Sequence, residues 1–227
     1  MNKIMKQILT AFTCLCFSAI SIAQEGYTIN GHIEGLTDNF KVYLIDGSRR
    51  KTIDSATVKN ERFVLIGNIP EAAHTYLYHG KSKKLADILL DNREIVVSGT
   101  QPVFDSITIS GSDIDEQWKE WYAADQHIRY LRYRLIQISE TLNTKGDTAT
   151  GNKLKVITDE LMNDRISLLK QSVKKHGDSP SGAVLPTLCT IQNQLTKDDI
   201  LEMYNSLSLK MKSTYLGNEI KKIGARK

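Results

Sequence analysis

The chain has 227 residues, of which 41% are hydrophobic and 25% charged, a composition that excludes a disordered or fibrous protein. Its formal net charge at pH 7 is +4. If Lys3 and Lys6 are removed with the leader described below, 28 Lys and Arg residues remain against 26 Asp and Glu. So small an excess produces no long-range field that would attract nucleic acid or an anionic membrane.

The first 23 residues predict a secretory signal. Lys3 and Lys6 precede a short apolar run over residues 8–20, which ends in Ser21-Ile22-Ala23, with small residues at the two positions that a signal peptidase reads. The run is too short for a helix that spans a bilayer. We therefore expect cleavage between Ala23 and Gln24, export to the periplasm or cell envelope, and no transmembrane segment in the mature chain.

Two other interpretations of the leader stay open, a short anchor or buried helix and a lipidated Cys14. Lipid attachment favours a cysteine at the end of the apolar run, whereas the run continues through Leu15, Cys16 and Phe17. If the leader is cleaved, Cys189 is the only cysteine of the mature protein. One cysteine can form neither an internal disulfide nor a dithiol pair.

Residues 27–110 predict short β-strands. Each segment has four to eight residues and is bounded by Gly, Asn, Asp or Pro, which favours an antiparallel β-sandwich or a partly open barrel. The segments are 27–33, 41–45, 51–58, 62–66, 74–78, 86–90, 94–97 and 106–109. Lys59-Asn60-Glu61 predicts a tight hairpin turn, because Asn tolerates a positive φ.

After Gly111 the apolar period becomes helical, so we predict an α+β protein with a sandwich domain over 24–111 and a helical region over 112–227. Ser112 and Asp115 predict a helix start. An apolar stripe then follows at Ile114, Trp118, Trp121, Ile128, Leu131, Leu135, Ile138 and Leu142. Because both tryptophans lie on this stripe, we expect them to be buried.

The later helices are predicted from breaks and caps. Residues 143–152 interrupt the pattern, and a second long helix ends at His176-Gly177, which completes a helical hairpin. Ser179-Pro180 begins a helix through Leu195 that has a risk of kinking at Pro186. Thr196 with Asp199 caps the next helix, and residues 209–223 form the last one. These shorter helices form a small cluster.

The sequence predicts no catalytic, cofactor-binding or metal-binding residue. The five histidines, at positions 32, 74, 79, 127 and 176, lack the spacing of zinc ligands, and no phosphate-binding loop or nucleophile elbow is present. Cys189 lies in an apolar stretch, which indicates a buried thiol. The acidic residues Asp113, Asp115 and Glu116 complement a helix dipole, and Asp87 and Asp91 flank a strand as turn residues.

Two aromatic patterns are candidates for binding. Residues 129–134 form a basic-aromatic run of three Arg, two Tyr and one Leu, which we interpret as a solvated helix face, with Asp125 expected to hold Arg129 one turn away. His74, Tyr76 and Tyr78 share one face of a strand. These three side chains predict either a partner surface on which a sugar could stack or ordinary packing across strands.

Several stretches together resemble a known domain. They are YTINGHIEGL (27–36), KVYL (41–44), DSATVKNERF (54–63) and DILLDNREIVVSG (87–99), closed by Ile109-Ser110-Gly111-Ser112. This pattern is similar to the N-terminal domain of unknown function on exported thiol–disulfide oxidoreductases of the thioredoxin-like, AhpC/TSA type in Gram-negative bacteria. SPSGA (179–183) and LSLKMK (207–212) resemble the segment that joins this domain to the thioredoxin domain in that family.

In that family, a thioredoxin-like domain with Cys-x-x-Cys would follow a segment such as 215–223, whereas this sequence stops at Lys227. No residue here therefore corresponds to the catalytic cysteines. The resemblance implies a non-catalytic exported accessory module that binds a protein or glycan partner in the cell envelope. The alternative is a subunit that positions a separately encoded thioredoxin-like partner, and a standalone enzyme comes third. No cofactor and no nucleic-acid partner is expected.

Overall fold

The computed structural model describes residues 26–80, 82–100 and 106–227. The predicted leader, its cleavage site between Ala23 and Gln24, and Cys14 lie outside these residues. No helix in the described ranges is both long enough and apolar enough to cross a membrane.

Over the described residues the fold is α+β, with eight strands followed by helices, as the change of period predicts. The strands are β1 (Tyr27–Glu34), β2 (Lys41–Asp46), β3 (Thr52–Thr57), β4 (Arg62–Gly67), β5 (Ala73–His79), β6 (Lys83–Leu90), β7 (Glu94–Thr100) and β8 (Thr108–Ser110). Each one coincides with a predicted segment to within a few residues. In β1, β2, β4 and β7 the alternation of apolar and polar residues is the reason, since one face of each of these strands is buried and the other is not.

The strands form two four-stranded sheets that enclose one core. The first sheet has the order β4-β1-β7-β8 and the second β3-β2-β5-β6. Alternate residues of β1 point into the core, and at Gly31 the ring of Phe63 fills the place of a side chain, because a Cβ would lie 2.0 Å from Phe63 Cζ. The predicted antiparallel arrangement is wrong for one pair: β1 and β7 run parallel. The chain enters β7 from the other sheet, and such a crossover permits parallel pairing.

The predicted turn at Lys59-Asn60-Glu61 is confirmed. Asn60 and Glu61 have φ values of 50° and 61°, and Lys59 and Arg62 exchange two backbone hydrogen bonds of 2.9 and 3.0 Å. Two consecutive positive φ values define the two-residue hairpin geometry that matches strand twist. The carboxylate of Glu61 also accepts a hydrogen bond from the Gly35 N–H at 2.8 Å.

Six helices and one 3₁₀ turn follow the sandwich. They are α1 (Asp113–Thr144), α2 (Thr148–Lys175), α3 (Pro180–Leu188), the 3₁₀ turn Gln192–Gln194, α4 (Lys197–Asn205), α5 (Leu209–Ser213) and α6 (Tyr215–Arg226). The predicted caps are confirmed at Ser112, which accepts from the Asp115 N–H, and at Thr196, which forms a capping box with Asp199.

Two predicted helix ends are wrong. The helix that begins at Pro180 ends at Leu188 and not at Leu195. Its last carbonyls are satisfied by side chains from elsewhere: Gln192 donates to the Pro186 and Thr187 carbonyls at 3.2 Å, and Tyr122 donates to the Leu188 carbonyl. These donors replace the helical N–H groups that a continued helix would have supplied.

The predicted last helix, 209–223, is two helices separated at Thr214. The Thr214 hydroxyl donates to the Met211 carbonyl at 2.6 Å and accepts from the Gly217 N–H at 3.2 Å. Threonine hydroxyls compete with the helical backbone in this way, so Thr214 ends α5 and caps α6.

The loop of the hairpin between α1 and α2 is shorter than the predicted break. It comprises residues 145–147, and Asp147 caps α2 by accepting from the Thr150 N–H at 3.1 Å. Gly151, expected in the break, is buried inside α2. Its Cα lies so close to the Asn143 amide that a Cβ would be 2.1 Å from Asn143 Oδ1.

At the base of the hairpin the prediction for the tryptophans is confirmed and the one for Asp125 is wrong. Trp118 and Trp121 are buried. Asp125 does not hold Arg129; it pairs with Arg165 of α2 through two hydrogen bonds of 2.6 and 2.8 Å. Spacing within α1 favours Arg129 as the ion-pair partner of Asp125. Because Asp125 is buried, however, it pairs with a side chain that faces it from the other helix of the hairpin.

Candidate functional site

A cavity of about 420 Å³ opens where the outer face of the second sheet meets α1. Its walls come from β5, β6, the β8 region, α1 and the end of α3. The lining residues are His74, Tyr76, Lys84, Leu85, Ala86, Asp87, Ile107, Ile109, Trp118, Lys119, Tyr122 and Leu188. The volume lies in the usual range for small-molecule sites, and the mixture of aromatic walls with a few polar groups is also typical of them.

Three charged or polar side chains form a network on one wall. His74 Nε2 lies 3.1 Å from Asp87 Oδ1, and Lys84 Nζ lies 2.6 Å from Asp87 Oδ2. Register places them together, because His74 and Asp87 lie on the same face of the antiparallel pair β5 and β6. Burial acts to raise the pKa of Asp87, but the hydrogen bonds from His74 and Lys84 outweigh it and the net shift is downward. Asp87 is therefore an ionised acceptor at neutral pH.

Aromatic rings form a continuous chain through the site, each meeting the next edge to face. The centroid distances are 6.2 Å for Tyr78–Tyr76, 4.7 Å for Tyr76–His74, 5.6 Å for His74–Trp118, 5.2 Å for Trp118–Tyr122 and 4.9 Å for Tyr122–Trp121. Edge-to-face pairs stabilise a packing beyond the area they bury. The chain joins the open face of β5 to the core between the helices.

Asp115 fixes α1 against the sheet. Its Oδ1 accepts hydrogen bonds from the Leu89 backbone N–H at 2.7 Å and from Trp118 Nε1 at 3.0 Å, and its Oδ2 accepts from Lys119 Nζ at 2.6 Å. The sequence assigned Asp115 to the cap and the dipole of the helix. In the structure this buried carboxylate also orients two residues of the cavity, Trp118 and Lys119.

None of the described lining residues is a Ser, Thr or Cys, the side chains that act as hydroxyl or thiol nucleophiles. The Tyr122 hydroxyl donates to the Leu188 carbonyl, and burial raises the pKa of this phenol. Tyr122 is thus held as a neutral hydrogen-bond donor.

The structure separates the three residues of the predicted partner surface. His74 and Tyr76 line the cavity, but His74 is buried beneath Trp118. Tyr78 is outside the lining and contacts the site through the Tyr76 ring. His74 therefore packs, as one of the two alternatives expects, whereas Tyr76 faces the cavity, and the partner surface stays a prediction. Sequence reasoning missed Lys84, Lys119 and Tyr122, because neither periodicity nor spacing indicates which strand a helix will face.

Cys189 lies next to the site without entering it. It is buried at the C-terminus of α3, and its Sγ contacts the Pro186 carbonyl at 3.7 Å. Burial raises the pKa of the Cys189 thiol to about 11. At neutral pH the group is therefore a thiol, which is a poor nucleophile and a poor metal ligand.

The Arg-Tyr run lies on the far part of the hairpin. Arg129, Tyr130 and Tyr133 are exposed and line an open depression on one face of α1 with Gln126 and His127. The solvated face that the sequence predicted is therefore present. In the part of the chain that the structure describes, no group of three or more His, Cys, Asp or Glu residues could hold a metal ion.

A known family model matches the sandwich and the start of α1. Residues 27–118 match the model of a family described as a domain of unknown function, DUF4369. This range begins with β1, covers all eight strands and ends at Trp118 in the second turn of α1. It agrees with the N-terminal domain of unknown function that the resemblance implied. No curated protein matches the chain.

Proposed function

We propose that this protein is an exported, non-catalytic accessory module that binds a protein or glycan partner of the cell envelope through the cavity between the sheet and α1. The observation that carries the proposal is the preformed aromatic cavity with an ionised Asp87 and two lysines on its walls. Aromatic walls supply contact area, and a few fixed polar groups supply orientation and specificity.

The rigidity of the cavity supports a binding role. Trp118 and Asp87, on opposite walls, are each held by hydrogen bonds within the protein. A ligand therefore meets side chains that are already ordered, and the entropic cost of binding is smaller than for a mobile surface.

The non-catalytic part of the proposal has separate support. A disulfide exchange needs an attacking and a resolving cysteine, and Cys189 is buried with a raised pKa. Export is supported by the leader pattern over residues 1–23. Both features also agree with the resemblance to the accessory region of the thioredoxin-like family.

The experiment that tests the binding role uses tryptophan fluorescence. Trp118 lines the cavity, so an occupant should change its emission. A panel of neutral and acidic disaccharides and of hexapeptides is titrated into the wild type, Tyr76→Ala and Tyr130→Ala. Binding that is lost in Tyr76→Ala and kept in Tyr130→Ala, with unchanged melting curves, supports the cavity. Binding that is insensitive to Tyr76, or the absence of any response, contradicts the proposal.

A second function is favoured by the far half of the hairpin. Between residues 126 and 164 only Ser139, Gly151 and Thr158 are buried, while large apolar side chains are exposed. These side chains are Tyr130, Leu131, Tyr133, Ile138, Val156 and Ile157. Such a surface suits a subunit that positions a separately encoded thioredoxin-like partner. Binding of a thioredoxin-like protein encoded by a neighbouring gene that is lost in Tyr130→Ala and kept in Tyr76→Ala would favour this function over the first.

A further inference from the structure

In the far half of the hairpin, α1 and α2 meet through polar and small groups. Arg132 Nε donates to the Thr158 carbonyl at 2.9 Å, and seven residues later the Ser139 hydroxyl donates to the Gly151 carbonyl at 2.7 Å. These residues define the side of each helix that faces the other. The large apolar side chains of the far half are therefore not buried between the two helices.

The apolar side chains lie instead on one side of the hairpin. Leu131, Ile138 and Ile157 each directly precede a residue that faces the other helix, and one residue turns a helix by about 100°. In an antiparallel pair, the same sense of rotation leads to the same side on both helices. These three side chains are 49%, 47% and 42% exposed. The half-buried Ile128, Leu135, Leu142, Leu154 and Leu161 complete this surface, which is named the open face.

The spacing along α1 is that of a coiled-coil seam. The apolar residues of the open face on this helix recur at alternating steps of three and four, at Ile128, Leu131, Leu135, Ile138 and Leu142. A repeat of this kind packs against a further helix that runs alongside, with side chains filling holes between those of the partner. Since Leu131 and Ile138 are about half exposed, no described element of this chain supplies that helix.

The small helical cluster lies on the other side of the hairpin. Each four-residue step along α2 from Thr158 rotates by about 40° in the sense opposite to Ile157, which places Met162, Ile166 and Lys170 there. Met162 and Ile166 pack against the core of the helical half, and Lys170 forms an ion pair with α4 at 2.7 Å. A second molecule can therefore approach the open face without meeting these elements.

The charges around the open face are complementary between the two helices. Residues 126–134 of α1 carry three arginines and no carboxylate. Residues 156–164 of α2, at the same height in the hairpin, carry three carboxylates and neither Lys nor Arg. In the part of the chain that the structure describes, Arg134 and Glu160 are exposed and take part in no ion pair, so both charges are available to a partner.

This charge pattern makes the open face complementary to itself in one orientation. A two-fold axis that runs along the hairpin, in the plane of the open face, places α1 of one copy on α2 of the other. Arginines then face carboxylates along both edges, with Arg134 of one copy near Glu160 of the other. An axis across the hairpin would set α1 against α1 and bring the arginines together, which is unfavourable.

The open face is also large enough for a dimer. Residues 126–145 span about 30 Å and two packed helices are about 20 Å wide, so contact buries roughly 600 Å² on each copy and roughly 1,200 Å² in total, at the lower end of the range for stable specific interfaces. Contact between two hairpins would also build a four-helix core, which one hairpin of two helices lacks.

We propose that two copies of this chain associate through the open face, as a two-fold symmetric four-helix bundle in which α1 of each copy packs on α2 of the other. This inference goes beyond the proposed function, because the cavity lies beside residues 118–122 at the base of α1, outside the open face. Each copy of the dimer keeps its own cavity.

Sedimentation equilibrium of the full mature chain tests the dimer. We expect twice the mass of one chain at about 100 µM, with dissociation on dilution, because the interface is small. Leu131→Glu and Ile138→Glu should each raise the dissociation constant at least about tenfold, since a charge then enters an apolar contact. The matched control is Tyr133→Glu: Tyr133 is 56% exposed, follows Arg132 directly and so points to the opposite side of α1, and its replacement should leave the dimer unchanged.

Mixing two charge variants tests the orientation. Arg134→Glu and Glu160→Arg should each weaken self-association, because like charges then meet at both edges of the dimer. In an equimolar mixture, unlike charges meet at both edges, so native mass spectrometry should find the mixed dimer in more than the statistical half of all dimers. Both side chains are exposed, so these variants test the interface even if the apolar variants fail to fold.

Three results would overturn the inference. They are a wild type that stays monomeric at about 100 µM, a dimer that Tyr133→Glu disrupts as readily as Leu131→Glu, and a mixture of the charge variants with no excess of the mixed dimer. A monomer that binds a thioredoxin-like protein and loses it in Leu131→Glu would assign the open face to that partner. The ligand titrations of the cavity are independent of these results, so the proposed function is tested separately.

Discussion

Asp115 of α1 accepts the backbone N–H of Leu89 in β6 at 2.7 Å, and this bond is one of those that join the helical half to the sandwich. The same oxygen also accepts the indole N–H of Trp118. A single buried carboxylate therefore sets the position of α1 and the orientation of a cavity wall. Removal of the Asp115 carboxylate should lower both the stability of the protein and its affinity for a ligand of the cavity.

We predict that Asp115→Leu lowers the free energy of unfolding by about 2–5 kcal/mol, because two buried donors, the Leu89 N–H and Trp118 Nε1, lose their acceptor. Asp115→Asn keeps one oxygen for these donors and should cost clearly less. Urea denaturation of the two variants measures the difference. Equal losses would show that the hydrogen bonds at this carboxylate do not hold the interface.

The burial of Trp118 predicts a large cost for its removal. Trp118→Ala should destabilise the protein by about 3–5 kcal/mol, the range for truncation of a buried aromatic side chain. Tyr133→Ala on the exposed part of the same helix serves as the control and should change stability by no more than about 0.5 kcal/mol. A wild-type melting curve for Trp118→Ala would contradict the packing of α1 on the sheet.

The lowered pKa of Asp87 predicts a dependence of stability on pH. Burial opposes the shift, and the hydrogen bonds from His74 and Lys84 more than offset it, so the folded-state pKa lies below the ordinary 3.8. A depressed carboxyl pKa stabilises the fold above the unfolded value, and this contribution disappears as the pH falls through the folded value. The free energy of unfolding of Asp87→Asn should be lower than that of the wild type. This difference should be constant from pH 5 to 7 and shrink below about pH 4. If the difference in unfolding free energy grew on acidification, the pKa of Asp87 would be raised in the folded state and not lowered.

The burial of Cys189 predicts low reactivity. With a thiol pKa of about 11, it should react slowly with a thiol reagent at pH 8 in the native state and rapidly after denaturation. The purified mature chain should also fail to reduce insulin with a thiol donor. Immediate native labelling together with insulin turnover would refute the accessory-module proposal. Fast labelling without turnover would instead favour the redox-subunit alternative, through a mixed disulfide with a partner.

Export predicts a defined mature mass. Expression with the native leader in a Gram-negative host should yield a protein that begins at Gln24, since Ser21 and Ala23 provide the small residues that the peptidase requires. Intact-mass spectrometry decides the outcome. A mass that includes residues 1–23, or one that carries lipid on Cys14, would contradict this interpretation of the leader.

The sequence by itself determined the class of fold and the bounds of most elements. Strand alternation, the Asn60 turn and the Ser112 and Thr196 caps are local features, and their physical causes act within a few residues. Two helix ends were predicted wrongly, one with a local cause at Thr214 and one with a partly remote cause. The end of α3 depends on Tyr122, which lies 66 residues away from Leu188 in the chain.

Only the tertiary structure determined which residues from distant parts of the chain contact one another. Asp125 was assigned to Arg129 by helical spacing, but burial paired it with Arg165, 40 residues away. The cavity likewise unites a strand pair that carries His74 and Asp87 with the helix that carries Trp118, Lys119 and Tyr122. Periodicity shows that a face is buried but not which surface covers it. That choice depends on the packing of all the elements together, and it created a site that no local pattern in the sequence contains.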